Sequence, residues 1–136
     1  MNKLRVLRHY PLSLLCVALI WFLCLMLDVP ETPLNKVAFI DKWTHLAMYG
    51  GTTSVIWWEY LRCHDRLVFW KLFLFAFLGL IVMSGVIELL QAYCFPPRAG
   101  EWADWYADFS GIVLAFVVTD LLYRHVKPRF LFGCRK

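Results

Sequence analysis

Charge is what this chain has little of. Its 136 residues include 14 Lys and Arg and 10 Asp and Glu, against 61% hydrophobic residues. A soluble domain of this length rarely carries so much apolar surface with so few charges, so the composition points away from a soluble globule. A cysteine framework is also missing. The five cysteines are odd in number and form no metal-binding spacing, which excludes a disulfide scaffold. "SLLC" lacks the small residues that a lipoprotein signal needs before Cys16. The alternating pattern of a β-barrel strand is absent, as are internal repeats, low-complexity tracts and linkers. No hydrolase signature such as a nucleophile elbow occurs.

What is present is four apolar runs, over residues 12–27, 43–61, 71–94 and 105–123. Crossing a hydrocarbon layer of about 30 Å takes about 20 residues of helix. Backbone groups in lipid must pair within their own segment, so helices are expected. The first run follows the basic "NKLRVLRHY", as a signal peptide would, but its exit "LMLDVPETP" offers no small-x-small cleavage site. It is therefore read as an uncleaved helix. The prediction is an all-α integral membrane bundle of four transmembrane helices, a single domain over residues 1–136.

Lysine and arginine set its orientation. Eleven of the 14 basic residues lie in the N-terminal segment, the second loop region and the tail. The first loop has Lys36 and Lys42, the third only Arg98. Both termini are thus expected in the cytoplasm, with loops 28–42 and 95–104 outside, in a bacterial inner membrane. The net charge of +4 is then a topology signal and not a nucleic-acid footprint. Trp43, Trp102 and Trp105 are expected at the outer interface, Trp57, Trp58 and Trp70 at the inner one.

With that orientation, eight polar residues fall in the outer half: Asp41, Lys42, His45, Glu88, Gln91, Arg98, Asp104 and Asp108. Asp41 and His45 are four apart and share a helix face, with Tyr49 a turn deeper. Glu88 and Gln91 are three apart, and Ser84 joins them one turn away. Asp104, Asp108 and Gly111 form a third stripe. Glu88 lies about 10 Å from its helix end at about 1.5 Å per residue. An ionisable group at that depth costs a few kcal/mol unless paired or hydrated, so it is expected to face the bundle interior. Plainer roles exist. Asp41 and Asp104 suit helix N-caps, Lys42 can snorkel, and Gln91 can bond between helices. Glu59 can pair with Arg62, and Asp120 with Arg124. Gly50 and Gly51, and also Gly79, Gly85 and Gly111, suit close helix approach.

"DKWTHLAMY" followed by "IELLQAYCFPPRAGEWADWYADFSG" resembles the VanZ-like family of small bacterial membrane proteins. The family pattern is Asp-Lys-x-x-His at one span's start and Glu-x-x-Gln at another's end, then Arg, Asp, Asn and Gly. It falls here on Asp41, Lys42 and His45, on Glu88 and Gln91, and on Arg98, Asp104 and Gly111. The family usually has Asn where this chain has Asp108, a departure that adds a carboxylate and favours a cation or proton there. The resemblance covers residues 40–115. It implies bacterial origin and an envelope role in a family named for a protein linked to teicoplanin (glycopeptide) resistance.

Three readings of the cluster stand side by side. In the first, Lys42, Gln91, Arg98, Asp104 and Asp108 line an outer-facing cleft that binds an anionic, lipid-linked envelope molecule, aided by two helix N-termini. In the second, a membrane-embedded enzyme acts on a phospholipid or lipid-linked phosphate or acyl group. There Asp41 orients His45 as base or nucleophile and Glu88 serves as acid. A metal variant of it uses His45, Glu88, Asp104 and Asp108 to hold a divalent cation. In the third, the charges only lock the helices together in an accessory subunit.

Overall fold

The computed structural model describes residues 8–26, 39–64, 67–95 and 100–125. They form four long helices: α1 (Pro11–Leu25), α2 (Ile40–Cys63), α3 (Phe69–Cys94) and α4 (Trp102–His125). No strand occurs among the described residues. The chain is all-helical there, as its apolar runs predict. α3 and α4 are long and apolar enough to cross a membrane by length and composition. α1 is apolar but shorter, at 15 residues. α2 has the length, at 24 residues, but carries Asp41, Lys42, Glu59 and Arg62 near its ends.

Helices α2 and α4 are longer than their apolar runs. Each gains a turn or so at its start, and those turns contain Asp41, Lys42 and Asp104. Hydropathy marks where apolar side chains stop, whereas a helix continues while its backbone bonds do. The capping expectation is therefore corrected. The N-cap of α2 is Phe39, at φ 60 and with no side-chain cap bond, and Asp41 lies inside the first turn. Asp104 likewise lies within the first turn of α4, its own amide bonded to the carbonyl of Glu101.

Small polar residues do not break these helices, because their hydroxyls bond back to carbonyls one turn earlier. Thr52, Thr53 and Ser54 do so in α2, Ser110 and Thr119 in α4. Residues Phe73–Leu78 of α3 form a π-helical turn. Phe73 and Phe77 stack there at 5.1 Å and meet Phe116 of α4 edge-on.

The most extensive pairing is between α2 and α4. Two glycines permit it. A Cβ on Gly50 would sit 3.2 Å from the Gly111 carbonyl oxygen, and one on Gly111 would overlap the Leu46 carbonyl. Gly51, expected to share this role, faces open space, and Gly79 meets only a carbonyl of its own helix. One face of α2 points at α4, and the next residue along points about 100° away.

Two apolar clusters fill the interior. Ile20, Cys24, Tyr49, Leu80, Ile87 and Ile112 make one. Trp57, Tyr60, Leu72, Ala76 and Phe116 make the other. Trp57 is thus corrected from an interface residue to a core residue, 1% exposed and packed edge-on against Phe116. The sides of the bundle are apolar as well: Leu15, Phe22, Phe75, Val82, Leu114 and Leu122 are all exposed.

Glu59 lies deep at the end of the bundle where α1 begins. Its carboxylate accepts from the Leu12 and Ser13 amides, at 2.9 Å each, and from the Ser13 hydroxyl at 2.6 Å. A buried side chain of α2 thereby caps the first turn of α1, whose amides lack intrahelical partners. Asp120 and Arg124 pair at 2.7 Å, as their spacing predicts.

Candidate functional site

At the opposite end of the bundle, the start of α2, the last turns of α3 and the start of α4 converge. Asp41, Lys42 and His45 come from α2, Ser84 and Glu88 from α3, and Glu101, Asp104 and Asp108 from α4 and the residue before it. Their contacts are mutual, so the cluster is one site.

The outer layer centres on Lys42. Its ammonium lies 2.7 Å from Asp104, 2.7 Å from Glu101 and 3.4 Å from Asp41. Three carboxylates surround one lysine, so this layer is net acidic. Asp41 is open to solvent, with 63% of its side chain exposed.

The inner layer centres on Asp108, whose side chain is 1% exposed. One oxygen meets His45 Nδ1 at 3.0 Å, and the other accepts a short bond from the Ser84 hydroxyl. Against an ionised carboxylate, which only accepts, Nδ1 is the donor of this bond, and Nε2 is the ring nitrogen left free of it. Nε2 faces Asp41 Oδ1 at 3.9 Å, beyond hydrogen-bond range. The carboxylate that orients the imidazole by a hydrogen bond is therefore Asp108, and Asp41 stands on the ring's other side.

Glu88 completes the inner layer. Its Oε2 accepts the Glu101 amide at 2.9 Å. Its Oε1 is buried and has no hydrogen-bond partner among the described residues. Gly100 makes the Glu101 contact possible, because its backbone lies against the Glu88 carbonyl with no room for a side chain.

Two overlapping sets of donors lie close enough to share an ion. One is Asp41, His45 and Asp104, the other His45, Glu88 and Asp108, and within each set the donor atoms are within 4.8 Å of one another. Together these sets contain the four residues of the metal variant, plus Asp41.

Seven of the eight outer residues picked from the sequence lie among the described residues, and six of them join this cluster. Gln91 is spent elsewhere. Its amide donates to the Cys24 carbonyl of α1 at 2.7 Å, a bond between helices. Arg98 lies outside the described residues. Glu101 is the member that sequence reasoning missed. It sits in a loop, where hydropathy gives a carboxylate no weight, and its position just before α4 was the one available signal.

No known family model, curated protein or solved structure matches this chain.

Proposed function

We propose that this chain is a VanZ-like, multi-pass protein of the bacterial inner membrane. On this reading four helices cross the bilayer, both termini are cytoplasmic, and the cluster opens to the outer face. The apolar flanks support membrane residence. So do exposed tryptophans at both ends of the bundle, with Trp43 and Trp102 beside the cluster and Trp70 at the far end.

The cluster carries out acid–base chemistry on the head of a phospholipid or lipid-linked envelope molecule. One observation carries this reading: the hydrogen bond between His45 Nδ1 and the buried Asp108. It fixes the imidazole and leaves Nε2 as a base toward the open rim. Nε2 takes a proton from water or a hydroxyl as that oxygen attacks a phosphoryl or acyl centre, then returns it to the leaving oxygen. Asp108 stabilises the imidazolium between the two transfers. Binding of an anionic headgroup without chemistry is the second reading. Lys42, partly exposed at the start of α2, favours it, and the three carboxylates around Lys42 weigh against it.

The test is complementation in a host lacking the gene. It is scored by glycopeptide susceptibility and by mass spectrometry of phospholipids and lipid-linked phosphates. His45→Gln and Asp108→Asn are expected to fold at normal yield and to lose about 100-fold or more of the activity, the usual contribution of a general base. Full complementation by both folded variants would sink the reading. Function falling only in step with folded protein would mean that the cluster is structural.

A further inference from the structure

The inner layer holds two carboxylates and one imidazole away from water. Asp108 is satisfied on both oxygens by His45 and Ser84. Glu88 is 7% exposed, and its second oxygen has no partner among the described residues. A carboxylate in such a place needs a positive partner or a proton. Lys42 is engaged in the outer layer by Asp41, Glu101 and Asp104.

We propose that His45, Glu88 and Asp108 bind a divalent cation of the Mn²⁺ or Zn²⁺ type, with the orphan oxygen of Glu88 as a ligand. Their donor atoms already lie within 4.8 Å of one another. Ligand bonds of about 2.0–2.2 Å put paired donors about 3–4 Å apart, so binding needs the widest donor spacing to close by up to about 1–2 Å. One nitrogen and two carboxylate oxygens form a borderline-to-hard set, which suits these ions better than copper(I) or other soft metals. Three protein ligands leave coordination positions for water or a substrate oxygen, the arrangement of a working site and not of a closed structural one. The overlapping outer set, Asp41, His45 and Asp104, is the poorer host. Lys42 already neutralises it, and Asp41 is open to solvent.

The inference rests on the acid–base reading only for choosing this cluster as the working site, and it changes one role: with the ion bound, His45 and Asp108 are ligands in place of the hydrogen bond between them. The ion would hold the reacting water and lower its pKa, so the nucleophile would be generated on the ion and not by His45.

The experiment uses the full chain in detergent, titrated with Mn²⁺ and followed by electron paramagnetic resonance. Wild type is expected to take up a single Mn²⁺ with a directly bonded nitrogen seen in the pulsed spectrum. His45→Gln should remove that nitrogen signal. Glu88→Gln and Asp108→Asn should each weaken binding about tenfold or more. Asp120→Asn, paired with Arg124 at the other end of α4, should bind as wild type does. Absence of Mn²⁺ uptake by wild type would overturn the proposal. So would uptake that survives Glu88→Gln but is lost in Asp41→Asn, since the ion would then sit in the outer set. If wild type binds no Mn²⁺ while His45→Gln still fails to complement, the metal falls and the acid–base reading stands. If Mn²⁺ binds as described while folded His45→Gln complements fully, the acid–base reading falls and the metal site stands.

Discussion

Glu59 and Asp108 are both buried carboxylates, and their surroundings set them apart. Glu59 has every neighbour aimed at it as a donor: two amides and a hydroxyl from the start of α1. Those donors are orphans of a helix N-terminus, where the helix dipole also favours negative charge. Nothing in that arrangement has to change, so Glu59 reads as a structural cap. Asp108 instead holds a titratable ring whose other nitrogen faces the rim. Glu59→Gln keeps shape but turns one acceptor into a donor facing donors. A buried group left unsatisfied costs about 1–3 kcal/mol, so thermal unfolding in detergent should move down by that amount. Complementation at permissive temperature should persist. An unchanged melting temperature would mean that the cap adds nothing, and lost function at full folded yield would give Glu59 a working role.

Among the elements, α2 and α4 are the pair that builds the site, and glycine sets their separation. The two positions are not equivalent. A Cβ on Gly50 would be tight but tolerable against the Gly111 carbonyl, whereas one on Gly111 would drive into the backbone of Leu46. Backbone cannot rotate away as a side chain can. Gly111→Ala should therefore cost about 1–3 kcal/mol by overpacking, and Gly50→Ala clearly less. Gly111→Ala should also impair function in the protein that still folds, because Leu46 is the neighbour of His45 and Asp108 lies one turn above Gly111. Equal melting of the two variants would count against this close approach.

The same pair shows what the sequence could and could not convey. Asp41 with His45, and Asp104 with Asp108 and Gly111, were legible because helical spacing puts them on common faces. That these faces meet was legible only as a common depth. The partner of His45 was not. Asp41 shares its helix and is one turn away, but the hydrogen bond goes to Asp108, 63 residues on. Contacts between helices depend on rotation and register, which one chain's periodicity does not encode. The cap made by Glu59 was hidden for the same reason, since its partners in α1 are 46 and 47 residues away. Trp57 misled because tryptophan near a span's end is common both at interfaces and in cores, and only the position of Phe116 decides between them.

At the scale of the whole molecule, the proposed four-span arrangement turns on α2, the long helix with charges near both ends. Residues 43–58 of α2 contain no Asp, Glu, Lys or Arg, so its charges are confined to the two ends. That stretch is about 24 Å long at about 1.5 Å per residue, close to a hydrocarbon thickness of about 30 Å once Lys42 and Arg62 snorkel. Near its middle the Thr52, Thr53 and Ser54 hydroxyls bond to their own helix, Tyr49 is buried in the core, and His45 faces α4. The charge count of α2 therefore does not bar it from crossing. Crossing requires the loops on its two sides to lie on opposite faces of the membrane, and the proposed orientation puts residues 28–42 outside and the loop after α2 inside. In a cysteine-free version of the chain, Thr32→Cys should be labelled by an impermeant maleimide on intact cells, and Asp65→Cys only after lysis. A reporter fused after Lys136 should read as cytoplasmic. Labelling of both cysteines from one side would mean that α2 does not cross. Labelling of Asp65→Cys alone on intact cells would invert the orientation and turn His45 and Asp108 toward the cytoplasm, where an envelope molecule of the outer leaflet cannot reach them.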